Sequence, residues 1–572
     1  ALFENSILTL ATSDLRKVKE FALNKIQELG INEESTEIKG LAQRAAGESE
    51  DSDLLSISPE RLMKLSKSVK QTDRILAAKL LRKLVSTKTI FILLELLRDA
   101  DPKVRTEALL TARKIKRPET WPVLIELLSS PAYGHQAASA LKEAGSQALN
   151  VLETAFHKSG QSDLVMLKII QIIGHIGSKE AIDLLWKKAD YPDKRIVKQI
   201  LYSLRFINYR AKGREAVTVK DLLDVEMSKT LWNLAAYDEL PQLEHFLFMR
   251  SALREEIRDN YDHITLLLSM LYEPESVQLV KENIELGTPD GTAYALELLD
   301  LFVDKDLKPT LIPLLDDSST KEKLEQLQTY FPRESYNPIQ VINYVLNRDF
   351  NLNNRWSKLC AVHASAYIPD FRISRGLISQ MFNQDKLIQE TAAWVIYNKD
   401  KSLYETVSER LPIKDRKFLD SSIENNKLLD GLDDGFFLGI EMVMFIKELP
   451  AFKGIAGNLL CDLTDKIIPL DLKTREKINL KADESNLILI VAIGEIRLKN
   501  EDQEIITLKK GDVFGDIFQE GTTEKITSME ATERSVVFRI NMIDFYFVLA
   551  NHHELVQGLI KNIVKKQKTT TR

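Results

Sequence analysis

Four segments of this chain share one run of apolar and polar positions: two apolar residues, a spacer, then Leu-Leu. They are LLELL (Leu93 to Leu97), LIELL (Leu124 to Leu128), AIDLL (Ala181 to Leu185) and LIPLL (Leu311 to Leu315), the first two 31 residues apart. After the first three, a short polar break leads into a second apolar-periodic stretch, for example DADPKVRTEALLTARKI after the first copy. Two helices per unit is the reading, at a period expected of stacked helix pairs. In that break Asp101 is placed to accept from the free N–H groups of the next helix, and Pro102 takes the first helical position, where its missing N–H costs nothing. Val104, Ala108 and Ala112 then share one face at i, i+4 and i+8.

The same shape returns in NQDKLIQETAAWVI, with Ile388 and Ala392 standing as Val104 and Ala108 do, so the array is expected to run past residue 400. This pattern resembles HEAT-type repeats from about residue 58 to 415, clear before residue 205 and more divergent after 230. It implies an α-α superhelix whose surface binds protein partners without any catalytic group. Ahead of it, residues 33–58 are polar and acidic, a connection after a leading helical hairpin, and Ser58 with Pro59 restarts a helix as cap and first residue. Trp232, Trp356 and Trp394 are candidates for a partner site, but at helical spacing the core is the commoner place for such residues.

From about Phe437 the texture changes. FLGIEMVMFIKELPAF reads as a last amphipathic helix ending at Pro450, and further on apolar residues alternate. In GEIRLKN, Ile496 and Leu498 point one way while Glu495, Arg497 and Lys499 point the other, the period of a half-buried strand. NEDQ turns the chain and EIITL returns it. SVVFRI places Val536, Phe538 and Ile540 on one face of a final strand, and Asn541 is expected to cap MIDFYFVLA, with HELVQGLIKNIVKK as a second closing helix.

A helix, a small antiparallel roll interrupted by a phosphate-type loop, and two closing helices resemble the cyclic-nucleotide-binding domain family over roughly Met442 to Lys565. IKELPAF looks like the family's lead-in, ILIVAIGEIRL like the strand pair around its Gly, here Gly494, and GDVFGD like the start of its phosphate cassette. The expected architecture is therefore mostly α: residues 1–57 a leading hairpin and acidic connection, 58–436 HEAT-like repeats, and 437–572 a small α+β β-roll with flanking helices.

The family reads F-G-E-(L/I)-A-L at the cassette, followed by an Arg and small residues. Here Gly515 matches the Gly, and Asp516 stands where a Glu binds the ribose 2′-hydroxyl. Lys525 stands where the family's Arg neutralises the cyclic phosphate, and Ile526 and Thr527 stand where its Ala-like neighbours fall. A cyclic phosphate is held by backbone N–H groups at a helix start and by a two-pronged guanidinium; lysine supplies charge without the fork. Asp516 is one methylene short, and a ribose hydroxyl left without its acceptor would cost about 1–3 kcal/mol. Phe518 and Gln519 replace Ala-Leu with bulk expected to fill the cavity.

The candidate ligand residues are thus Gly515, Asp516, Ile517, Phe518, Lys525, Ile526 and Thr527. The expectation is a degenerate roll that does not bind cAMP or cGMP in the usual way. A nucleotide sensor is the rival reading, and a different anionic ligand stays open. The order solenoid-then-roll also resembles the cytoplasmic tail of bacterial carriers similar to ADP/ATP translocases, which implies an N-terminal membrane domain before a chain that opens without Met.

Composition narrows the function classes. Charged residues make up 28% and the net charge is −6, so a nucleic-acid groove would have to be built against the global field. Cys360 and Cys461, the two cysteines, are far apart in sequence and suggest neither a disulfide framework nor a thiolate metal site, which fits a reducing, cytoplasmic setting. The most apolar run, Leu487 to Ile493, is far below the ~20 residues of a membrane span. His552, His553 and Glu554 carry metal-capable groups, but adjacent helix residues diverge, and a polar helix start is the plainer role. With the eight His scattered and no nucleophile-base motif, no enzyme and no metal are expected, and a cyclic nucleotide is the one cofactor left open, as the less favoured reading.

Overall fold

The computed structural model describes residues 58–570 apart from Val85, Asn351, 426–437, 481–486, 501–502, Asp516 and 519–525. The leading hairpin expected over 1–57 therefore lies outside the described residues. The chain divides into two compact units, one ending at Thr120 and one running from Trp121 to the C-terminus.

The first unit holds the helices Pro59–Ser66, Gln71–Leu84, Ile90–Leu96 and Pro102–Ile115. Its caps are those the sequence predicts. Ser58 accepts from the Arg61 N–H at 3.3 Å, and Asp101 accepts from Lys103 and Val104 at 2.8 and 3.4 Å ahead of Pro102. Val104, Ala108 and Ala112 are buried. Between helices, Thr111 donates to the carbonyl of Ala78 at 2.8 Å, satisfying a hydroxyl that burial would otherwise leave costly.

The second unit continues as helix pairs from Trp121–Leu127 to Ile413–Asn425. AIDLL and LIPLL fall in Lys179–Trp186 and Lys308–Leu315, and LIELL ends Trp121–Leu127 and runs one residue past it; Asp193 caps the helix after the AIDLL break, and Asp385 caps Lys386–Lys399 in NQDKLIQETAAWVI. The architecture is a HEAT-like α-α superhelix followed by a small α+β roll. Where the repeat pattern thins after residue 205, two long helices, Arg214–Glu239 of 26 residues and Leu247–Leu271 of 25, pack together. They bury Glu226, Asn233, Glu256, Asn260 and His263, polar residues that break the apolar periodicity by which repeats are recognised. Each finds a partner; Glu256 accepts from Lys194 Nζ (2.9 Å), Ser357 Oγ (2.8 Å) and the Asn354 N–H (2.5 Å). Trp232, Trp356 and Trp394 are all buried, so the core reading of these indoles holds.

The roll follows the helix Gly439–Glu448, the short turn Pro450–Phe452 and the helix Gly457–Thr464. Its strands are β1 (Ile468–Leu472), β2 (Lys477–Asn479), β3 (Leu487–Ile493), β4 (Glu495–Asn500), β5 (Gln503–Lys509), β6 (Val513–Phe514), β7 (Ser528–Ala531) and β8 (Ser535–Asn541). They form two antiparallel four-stranded sheets, ordered β1-β8-β3-β6 and β2-β7-β4-β5.

The run Leu487 to Ile493 lacks alternation because β3 is covered on both faces. Leu487, Leu489 and Val491 join Val537, Ile496, Leu498 and Met529 in the interior of the roll. Ile488, Ile490 and Ala492 join Val536, Phe538 and Ile540 against the flanking helices, with the Phe445 ring edge-on to Phe538 at 5.9 Å. Gly494, between β3 and β4, has φ +78°, and a Cβ there would meet the Arg534 carbonyl oxygen at 2.4 Å, so a side chain is excluded. Asn541 caps Met542–Asn551 through the Ile543 N–H, and His553–Thr570 closes the chain. Among the described residues no helix is long and apolar enough to cross a membrane.

Candidate functional site

The cassette begins where β6 pairs with β3, Val513 against Ile490 and Phe514 against Leu489. Gly515 follows with φ +154°; a Cβ on it would meet Ile488 Cγ1 at 3.0 Å, a tight approach to β3 on a backbone that other residues rarely adopt. The Gly515 carbonyl accepts from the Phe518 N–H at 2.8 Å, a tight turn.

Asp516 and Lys525, the two charged members of the predicted site, lie outside the described residues, as does Gln519. The others are brought to two different places. Ile517 and Phe518 pack outward on the cluster of the flanking helices, with the Phe518 ring 5.9 Å from Phe452 and 6.1 Å from Phe545. Ile526 is buried in the interior of the roll with Leu487, Leu489 and Met529. The expectation that Phe518 fills the cavity is therefore corrected. A ring at this position finds two other rings on the lead-in turn and the closing helix, and bulk inside the roll comes from Ile526 instead.

Thr527 is spent on the sheet. Its N–H donates to the Lys499 carbonyl at 2.9 Å, its hydroxyl reaches the same oxygen at 3.3 Å, and its own carbonyl accepts from Leu480 at 2.8 Å. A backbone donor so engaged has nothing left for an anion.

A second constellation, which the sequence reading missed, joins the flanking helices of the roll to the solenoid. Arg355 pairs with Asp385 on the repeats and, at 3.2 and 2.8 Å, with Asp462 on the helix Gly457–Thr464 and Asp465 just after it. His552 stands 3.1 Å from Asp462, and Lys198 bonds Asp259 at 2.8 Å and Glu554 at 3.1 Å. Lys447 pairs with Glu255, which also accepts from the Gly457 N–H at 2.7 Å. The pairs of Arg355, His552 and Lys198 border a cavity of about 1060 Å³ between the helices Asp163–Ile176 and Lys194–Phe206 and the roll's flanks.

Burial alone would push the Asp462 carboxyl up, but the hydrogen bond with His552 and the charges of Arg195 and Arg355 hold it below its usual value. Asp465 stays raised by burial in spite of Arg355. Among the described residues, no group of three or more His, Cys, Asp or Glu is gathered as a set of ion ligands.

The two cysteines also lie near each other here. Gly457 lies against the Trp356 indole, where a Cβ would meet the ring at 2.4 Å, and one helical turn further along each helix stand Cys461 and Cys360, both buried. Burial first, and then the Cys461 thiol beside it, push the Cys360 thiol well up; burial raises Cys461 likewise. No motif announces this arrangement. Its one trace in sequence is the acid pair at i, i+3 on Gly457–Thr464 and the residue after it.

Comparison with known proteins fits these parts. The family of HEAT repeats matches residues 59–142. Among solved structures, the chain is similar to the N-terminal domain of a transcriptional regulator from Streptomyces coelicolor (13% identity, 22% of this chain and 92% of that one, TM-score 0.19). It is also similar to a cyclic nucleotide-binding domain from Methylobacillus flagellatus (14%, 23% and 78%, TM-score 0.19) and to a cyclic nucleotide-binding-like protein from Brucella abortus (18%, 19% and 97%, TM-score 0.16). At such identities and scores the roll is assigned by its strand order and flanking helices, not by these neighbours. No curated protein matches the sequence.

Proposed function

We propose that this chain is a non-enzymatic, cytoplasmic scaffolding and regulatory protein, in which a HEAT-like surface engages protein partners and the roll is a degenerate cyclic-nucleotide-binding-like module. In this reading the roll does not take cAMP or cGMP in the usual way. The observation that carries it is the fate of the cassette's return: Ile526 occupies the roll interior and the Thr527 N–H is committed to Lys499. Lysine at 525 adds to it, since a point charge cannot make the bidentate grip on a phosphate.

Calorimetry of the whole chain with cAMP and cGMP tests the reading. Flat traces are expected; saturable heat that disappears in Lys525→Ala would overturn it. The sensor reading has one contact in its favour, the Phe518 ring on Phe545, which links the cassette to the closing helix. Under that reading, nucleotide would change hydrogen-exchange protection of Met542–Asn551, a response the scaffold reading excludes.

A further inference from the structure

Away from the roll, two arginines and two tyrosine rings gather around Trp232 on the long helix Arg214–Glu239. The Arg348 guanidinium lies 3.5 Å from the centre of the Trp232 ring and 5.4 Å from that of Tyr344. Arg333 lies 5.4 Å from Trp232 and 5.0 Å from Tyr336, and Tyr336 and Tyr344 are 5.3 Å apart.

The two guanidinium groups are served differently. Arg333 is matched, both of its terminal nitrogens donating to Glu239 at 2.8 and 2.6 Å. Arg348, buried to the same degree as Trp232, has a single side-chain hydrogen bond, a long one of 3.4 Å from Nη1 to Asn233 Oδ1. Its Nε is sealed from solvent without a partner, as is Trp232 Nε1, and no carboxylate among the described residues lies within ion-pair distance of it. Glu239 is taken by Arg333, Ser335 and the Tyr336 N–H, and Glu256 by Lys194, Asn354 and Ser357.

Burying a guanidinium with no counter-charge is costly, and an aromatic face offsets only part of that cost. Burial lowers its pKa to about 10, so it remains a cation at neutral pH. What the site lacks is an oxyanion. The rim permits one, because Tyr344 is 45% exposed beside the stacked guanidinium.

We propose that Arg348, backed by Trp232 and edged by Tyr344, is a binding site for a single oxyanion, a carboxylate or phosphate group. A guanidinium held 3.5 Å over the centre of an indole offers the fork-to-oxyanion geometry that a lysine cannot provide. The group comes either from an acidic side chain of a protein partner or from free phosphate. This site is separate from the cassette, and its failure would leave the reading of the roll untouched.

The test is titration of the whole chain with sodium phosphate and, in a second arm, with a short oligoglutamate peptide, each at constant ionic strength balanced with chloride. Intrinsic tryptophan fluorescence and thermal melting are the readouts. Saturable binding that weakens about tenfold or more in Arg348→Gln, and is only partly restored by Arg348→Lys, is expected. Binding of the peptide alone assigns the anion to a partner, and binding of phosphate alone assigns it to a free ligand. Absence of saturable binding in both arms, or equal binding by wild type and Arg348→Gln, overturns the site. Should Arg348→Gln lose its helical circular dichroism, Tyr344→Ala at the exposed rim replaces it: weakened binding supports the site and unchanged affinity overturns it.

Discussion

Replacing Arg355 by methionine removes one cation from among three carboxylates, Asp385, Asp462 and Asp465. Breaking a buried pair by deleting one partner costs about 3–5 kcal/mol, because the remaining charge is left uncompensated. Here the acids are 16%, 27% and 41% exposed, so water relieves part of the penalty and the low end, about 3 kcal/mol, applies. That is about a hundredfold in the opening constant of the joint between repeats and roll. The loss should appear as reduced hydrogen-exchange protection of Gly457–Thr464 at pH 7.5.

The pH dependence gives a second check. Asp465 is raised by burial even beside Arg355, and loss of that cation lifts it further above its unfolded value of about 3.9, so at this carboxyl the variant's folded state binds more protons than the unfolded chain and gains stability as pH falls. The penalty of the substitution should therefore shrink between pH 7.5 and 5. A loss of protection equal at both pH values, or none at all in this helix, would refute the assignment of the joint to charge pairing.

Three further outcomes follow from named contacts. Gly494→Ala should lower stability by about 2 kcal/mol or more, from a Cβ at 2.4 Å from the Arg534 carbonyl oxygen on a positive-φ backbone, and a thermal melt unchanged from wild type would contradict that geometry. With both thiols buried and raised, Ellman's reagent should find no reactive cysteine in the native chain and two in denaturant; fast native labelling would contradict the burial of Cys360 and Cys461. Burial, with His245 adding to it, lowers His363 to about 4, so the unfolded chain binds the proton first as pH falls below 6.5. Its contribution to stability then drops by about 1.4 kcal/mol at pH 5.5, a change that comparison with His363→Leu across pH 7.5 to 5.5 should show.

Elements with local signals were legible in the sequence: the Asp101–Pro102 start, the Ile388 and Ala392 face, the Ile496 and Leu498 alternation and the Asn541 cap. Each rests on neighbours within one turn or one strand. The placement of Phe518 and Ile526 on opposite sides of a sheet was not legible, since a chain segment does not reveal which of two apolar clusters each side chain enters. The ion pairs of Arg355 and Lys198 and the bare guanidinium of Arg348 join residues roughly a hundred or more positions apart in several cases, and such charges read as ordinary solvated residues in a one-dimensional pattern.

The apolar cluster beneath the roll extends without a break from Trp232 through Trp356 and Phe452 to Leu559. A fragment cut between residues 436 and 437 would carry half of that cluster as a raw greasy surface, and would be expected to clump or to rearrange before any nucleotide reached it. Fragments of this kind would report on the wound, and ligand work belongs on the uncut chain.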